Sequence, residues 1–435
     1  MSKKFRDWPI NQTFLFPPSV TDFVPESHLS HFVRELVLND LNLDEILSSY
    51  QESRGNPPYD PRMLTSVLLY GYTQGVYSSR KLARGCLERV DFMSVSGMNK
   101  PDFRTIASFR KRHLSALGGL FVQVLELCEA ADLVKLGHVA LDGSKVKGNA
   151  SKSRNKSYKC IKEQEKAFKE EVSKWFEQAE SIDSAEDDMF GADKSGDELP
   201  DWVSDKEKRI KKLEEAKRSL EKRDKEKRES REKAEKEGRK PPSKTKKRSE
   251  PKATQKYNFT DPDSVMLRSS NGGYIQGYNA QISVDTESYV IVTSDVCNAN
   301  NDLEQLIPTL EQFERNFGKQ AKELSADAGY CSEENLKALE SRNVRGYVAL
   351  GQGLPGERKK AIKPESLAHK MSLRLRKGGR KSRYHLRKMS VEPVFGNIKS
   401  ARGFQQFLLR GLENVRNEWL MVSTAHNIHK LAAAR

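Results

Sequence analysis

Apolar residues at Leu29, Phe32, Val33, Leu36 and Val37 recur with the period of a helix. The same period runs through "DPRMLTSVLLYGYTQGV", where Asp60 reads as an N-cap and Pro61 as the first helical residue. It continues through "SSRKLARGCLER" and "PDFRTIASFRKRHLSALGGLFVQVLELCEAADL". Residues 1–135 are therefore expected to form a helical domain with short connections. From 136 onward the pattern changes. "HVALD" is a strand that Asp142 should end. Ala280, Ile282 and Val284 alternate, as do Val290 and Val292 across "DTES", which predicts a β-hairpin. Asn301 as cap, with Glu304 three residues on, should open the helix "NNDLEQLIPTLEQFERNFG". A strand "KELSAD", a helix "SEENLKALESR", a strand "VRGYVAL" and helices to the end follow. The expected fold class is α/β over 136–435, a mixed sheet flanked by helices, joined to the helical domain.

Between 150 and 256 this patterning almost vanishes. "DKEKRIKKLEEAKRSLEKRDKEKRESREKAEKEGRK" is mostly Lys, Glu and Arg, and Ile210, Leu213 and Leu220 give only a sparse apolar seam. Such a segment predicts a solvated helix pair with frayed ends, stopped by Pro241-Pro242. Strand-like sequence on both sides marks it as an insertion.

Charge then narrows the function. The 435 residues carry a formal net charge of +15 with a pI near 9.4, and a mean hydropathy of -0.74. A polyanionic partner is the first expectation, and Arg80, Lys81, Arg84, Arg110, Lys111 and Arg112 are candidates to face it. The five cysteines form no C-x-x-C pair, which argues against a disulfide framework or a structural zinc site and for a reducing compartment. With no apolar run of about 18 residues, a membrane span is not expected, and the chain reads as cytoplasmic and nucleoid-associated.

Three acids stand out by position. Asp142 and Asp327 terminate predicted strands, and Glu392 borders the apolar stripe Val391, Val394, Phe395, Ile398 on a helix. Carboxylates at neighbouring strand ends, completed by one on a packed helix, make a set of hard oxygen donors suited to Mg2+. Two such ions can activate a nucleophile and stabilise the leaving oxygen of a phosphodiester. The competing reading is that strand-end Asp residues form turns. Gly143 reads as the turn that presents Asp142, with Lys145 and Lys147 as candidate DNA contacts. Between Pro355 and Ser390 lie 13 Lys/Arg against two acids, a basic run that leads straight into Glu392. Lys and Arg there would hold a nucleic-acid backbone beside the acids.

"ALDGSKVKGNAS", "TDPDS", "GGYIQGYNAQISVD", "ADAGYCSEENL" and "VEPVFGNIKSARGFQQFLLRGLENVRNEWLMVSTAHNIHKL" resemble a bacterial insertion-sequence transposase of the DDE type. The resemblance spans nearly the whole chain outside the insertion. It implies an RNase H-like core, two Mg2+ ions with Mn2+ as a substitute, cleavage at transposon ends and strand transfer into target DNA. It also implies a homo-oligomer acting on terminal inverted repeats. By that likeness Asp142, Asp327 and Glu392 match the catalytic and metal-binding triad. A family pattern of Tyr, Arg, Glu and Lys falls on Tyr384, Arg387, Glu392 and Lys399, with Arg383 beside it in the basic run; all but Glu392 are expected at DNA. Four residues separate Arg387 from Glu392 where the wider pattern has three, which leaves the role of Arg387 open. Asp263, Gln276 and Asn279 either shape the site or form the turn and strand edge.

Other classes fit less well. "GSKVKGN" has two glycines at phosphate-loop spacing, but Asn149-Ala150 stands where Lys-Ser/Thr is required. A tyrosine recombinase needs a nucleophilic Tyr downstream of its basic cluster, and no Tyr follows Tyr384. The remaining alternative is an inactive DNA-binding protein derived from a transposase.

Overall fold

The structure, a computed structural model, describes residues 19–50, 57–190, 201–236, 250–268, 272–351, 366–377 and 383–435. The basic-run residues Arg358, Lys359, Lys360, Lys363, Arg380 and Lys381, and the Pro241-Pro242 helix stop, lie outside the described residues.

The N-terminal region is helical, as its apolar period requires: α1 (Leu29–Glu35), α2 (Asp44–Leu47), α3 (Pro61–Thr73), α4 (Ser79–Glu88), α5 (Val90–Ser96), α6 (Phe103–Arg112) and α7 (Leu114–Ala130). Asp60 accepts a hydrogen bond from the Arg62 amide at 2.7 Å and Pro61 occupies the first turn, so α3 starts where its cap predicts. The helical stretch after Pro101 is divided at His113 into α6 and α7. Arg110 does not face solvent. It is buried and donates to the Tyr77 carbonyl at 2.8 Å and to the Ser79 hydroxyl at 3.2 Å, tying α6 to the α3–α4 connection and the first residue of α4.

β1 (His138–Lys147) opens the sheet. The chain then departs through β2 (Asn155–Ser157), α8 (Tyr158–Phe190) and α9 (Asp201–Lys236), and returns through β3 (Lys256–Asn258), which pairs antiparallel with β2. The insertion is thus a helix pair on a two-stranded base. Its own small core joins Tyr158 and Ile161 to Leu213, Ala216 and Leu220, so two of the three seam residues expected are buried. β4 (Val265–Arg268), β5 (Tyr274–Asp285) and β6 (Ile291–Cys297) follow, then α10 (Leu306–Phe317), β7 (Glu323–Ala326), α11 (Glu333–Ser341), β8 (Arg345–Val348), α12 (Leu367–Lys377), α13 (Leu386–Gly396) and α14 (Leu412–Ala433).

β6, β5 and β1 are antiparallel, and β1, β7 and β8 are parallel, with β4 adding to the start of β5. This mixed sheet with flanking helices is the RNase H-like α/β core expected from the resemblance. The predicted hairpin is β5–β6. α10 begins at Leu306 without a side-chain cap, not at Asn301. The reason is that Asp302 turns its carboxylate back to Asn279 and Gln281 of β5. One continuous hydrophobic core runs from Val33 to Leu431, because α14 packs both against β6 and against α3 and α7. The helical region is therefore welded to the sheet. Among the described residues no helix is long and apolar enough to cross a membrane.

Candidate active site

The register between β1 and β7 builds the site. The parallel pairing ends at Ala140 opposite Ser325, and Asp142 and Asp327 each lie two residues further on. Alternation along a strand then brings both carboxylates to the same level and the same face. Asp142 does not end its strand. β1 continues to Lys147, with Asp142 opposite Ile282 and Gly143 opposite Gln281 of β5, so Gly143 is not a turn. Its bareness has another cause: a Cβ there would stand 2.3 Å from Gln281 Nε2 and 2.7 Å from Asp302 Oδ1.

α13 covers the face that carries Asp142 and Ser144. As expected, Val391, Val394, Phe395 and Ile398 are buried, and Glu392 sits at the border with its side chain half exposed. Arg387 is buried one turn before it. Its Nη1 donates to Asp142 Oδ2 at 2.6 Å and its Nη2 lies 3.5 Å from Glu392 Oε1, so one guanidinium bridges two of the three acids. The Tyr384 ring lies beside that guanidinium, 6.0 Å from centroid to the guanidinium carbon. After α13 the helix widens into a π turn, Asn397–Ala401. Lys399 on this turn donates to Ser144 Oγ at 2.6 Å and to the Lys145 carbonyl at 2.8 Å. Burial lowers its ammonium to about 8.

The other predicted contacts are more dispersed. Alternation turns Lys145 and Lys147 away from the face of Asp142; Lys145 Nζ donates to the Arg268 carbonyl at 2.7 Å, and Lys147 is exposed. Arg383 is drawn to the opposite end of β7, where it pairs with Glu323 at 2.6 Å beside the buried His138. Asp263 and Gln276 have structural partners: Asp263 accepts from the Leu412 amide and Arg223, and Gln276 bonds Ser264 and Asn155.

Sequence reasoning missed Asp302. Its Oδ1 accepts from Asn279 Nδ2 at 2.6 Å and Gln281 Nε2 at 2.7 Å. Both donors lie on one face of β5, a signal visible only once β5 is known to run beside β1. Burial pushes the Asp142 carboxyl up to about 6, with Asp327 and Asp302 adding to the rise and Arg387 opposing it. Burial likewise raises Asp327, which caps the short turn after β7 by accepting from the Gly329 amide at 2.8 Å.

The donor set consists of carboxylate oxygens and suits a hard divalent cation. Among the described residues no three His, Cys, Asp or Glu side chains stand close enough to hold an ion as they are. The Arg387 guanidinium lies between Asp142 and Glu392 and is the positive charge that both carboxylates meet.

Residues 18–112 match the family described as Transposase domain (DUF772), and residues 252–428 match the Transposase DDE domain. The second match takes in Asp327 and Glu392 and begins after Asp142. No curated protein and no solved structure matches the chain.

Proposed function

The chain belongs to the insertion-sequence transposases of the DDE type, and on that premise we propose that Asp142, Asp327 and Glu392 are its catalytic acids, binding two Mg2+ ions. Transposases of this family act on DNA and use divalent metal ions. The observation that carries the assignment is the matched register of Asp142 and Asp327, with Glu392 linked to Asp142 through one guanidinium. When bound, the ions would activate the attacking oxygen and neutralise the leaving oxygen of the scissile phosphodiester.

The protein's own groups do the rest. Arg387 keeps the acids compensated while no ion is present. Were an ion to take its place, Arg387 would be left free to hold a DNA phosphate. Glu392, half exposed on a firmly packed helix, has the freedom to turn toward the two aspartates. Lys399, anchored on β1 at Ser144, stands one residue pair from Asp142 on the same face and orients the bound strand. Cleavage at the terminal inverted repeats and strand transfer into target DNA proceed in a homo-oligomer that pairs the two ends.

The test is cleavage of duplexes carrying the element's ends, with and without Mg2+. Asp142→Ala should abolish Mg2+-dependent cleavage while leaving duplex binding in a mobility-shift assay largely intact. Undiminished cleavage by that variant would contradict the assignment.

A further inference from the structure

Asp302 sits in the loop between β6 and α10, one of two loops that meet at the end of β7. Asn335 ties them together, donating to the Leu303 carbonyl and to the Tyr330 carbonyl, each at 2.7 Å. β7 stops at Ala326, so past its end no strand separates this loop from Asp327. Two glycines make the room. A Cβ on Gly143 would stand 2.7 Å from Asp302 Oδ1, and one on Gly329 would stand 3.3 Å from Asp302 Oδ2 and 3.0 Å from Asp327 Oδ1. The two carboxylates therefore flank the same bare point of backbone.

The hydrogen bonding of Asp302 is lopsided. Asn279 and Gln281 both donate to Oδ1, whereas Oδ2, on the Asp327 side, accepts no hydrogen bond among the described residues. A purely structural residue here would be better as Asn. Its carbonyl would take the same two amides, and its NH2 could donate toward Asp327. An acid instead adds a like charge to a centre where one guanidinium bridges Asp142 and Glu392 and Asp327 accepts from the Gly329 amide. Uncompensated charge held in place by two dedicated donors is an arrangement suited to a cation that arrives from solution.

We propose that Asp302 is a metal-positioning residue of the catalytic centre: its free oxygen, aimed by Asn279 and Gln281, raises the affinity of the Asp327 side of the site for a divalent cation. This rests on the assignment of Asp142, Asp327 and Glu392, and the experiment separates the two. Mn2+ uptake by the full chain, without DNA, is followed by electron paramagnetic resonance, and thermal unfolding is recorded alongside for wild type, Asp302→Asn, Asn279→Ser and Asp142→Asn. Asp302→Asn should weaken Mn2+ binding by about 10- to 100-fold, while its metal-free melting temperature stays equal or rises because a repulsion is gone. Asn279→Ser, which keeps the carboxylate but loosens its aim, should lose a smaller factor. A metal affinity in Asp302→Asn within twofold of wild type overturns the role of Asp302. Should Asp302→Asn not fold, Asn279→Ser decides in its place, and an unchanged affinity there counts against the proposal. Unchanged affinity in Asp142→Asn overturns the active-site assignment itself, and a wild-type chain that takes up no Mn2+ overturns both.

Discussion

Two groups of acids, both partly or wholly out of water, face opposite fates in this molecule. At the exit of the insertion, Asp261 accepts from the Tyr278 hydroxyl at 2.9 and 2.8 Å and from the Gly411 amide at 3.1 Å; Asp263 accepts from the Leu412 amide and pairs with Arg223. Their carboxylates are used up joining β5, α9 and the start of α14. At the end of β7, where Asp142, Asp302, Asp327 and Glu392 gather, the Arg387 guanidinium bridges only Asp142 and Glu392. Burial raises the carboxyls of Asp261 and Asp142 alike, so titration does not tell the two groups apart. The supply of donors does. Asp261 and Asp263 have both oxygens engaged by the fold. Among the described residues Asp302 and Asp327 accept on one oxygen only, and Asp142 is met by the Gly143 amide and the Arg387 guanidinium. On the proposed assignment these are the acids that would take up a cation.

The largest expected contrast is a double dissociation. Asp327→Ala should reduce end cleavage by about a thousandfold or more, because groups that act as a unit fail together, with little loss of thermal stability. Asp261→Ala should do the reverse. It strands the Tyr278 hydroxyl and the Gly411 amide, costing about 1–3 kcal/mol for each buried group left unpaired, yet cleavage per folded molecule should hold. Denaturant unfolding and single-turnover cleavage on both variants check this, and a stability loss in Asp327→Ala as large as in Asp261→Ala would erase the distinction.

A smaller effect sharpens the structural side. Glu418 on α14 is fully buried and accepts from the Leu408 and Leu409 amides. Burial pushes its carboxyl up to about 7 against those donors. The ionised form is thus disfavoured in the folded state. Its contribution is most favourable below the unfolded carboxyl range and is lost as pH rises from about 4.5 to about 7. The linkage amounts to about 3 kcal/mol. Stability of wild type minus that of Glu418→Gln, measured in urea from pH 4.5 to 8, should fall by about that amount; a flat difference would mean the carboxyl titrates normally.

Much of the fold was legible because the residues concerned face a core. The Asp60-Pro61 start of α3, the β5–β6 hairpin, Asp327 just past β7 and the buried face of α13 all follow from local chemistry or strict period. What escaped the sequence is where a partner far along the chain overrides the local pattern. β1 runs on through Asp142 and Gly143 because β5 pairs with it, although its apolar signal ends at Leu141. α10 starts late because Asp302 answers to β5 and not to its own helix. Arg110, basic and on an amphipathic helix, reads as a surface residue but is consumed by Tyr77 and Ser79. The candidate site reads from the sequence as three acids and a basic run, and of that run Arg387 lies against two of the acids while Arg383 pairs with Glu323. The bridging by Arg387 and the presence of Asp302 depend on side-chain geometry that no spacing encodes.

The central claim is that a divalent cation binds where β1 and β7 end their pairing. Loading the protein with Fe2+ and adding ascorbate and peroxide cuts the backbone next to the bound metal, without reference to activity. The account predicts cuts clustered near Asp142, Asp302 and Asp327, suppressed by excess Mg2+. Mg2+-sensitive cuts elsewhere, with none in those segments, would contradict it.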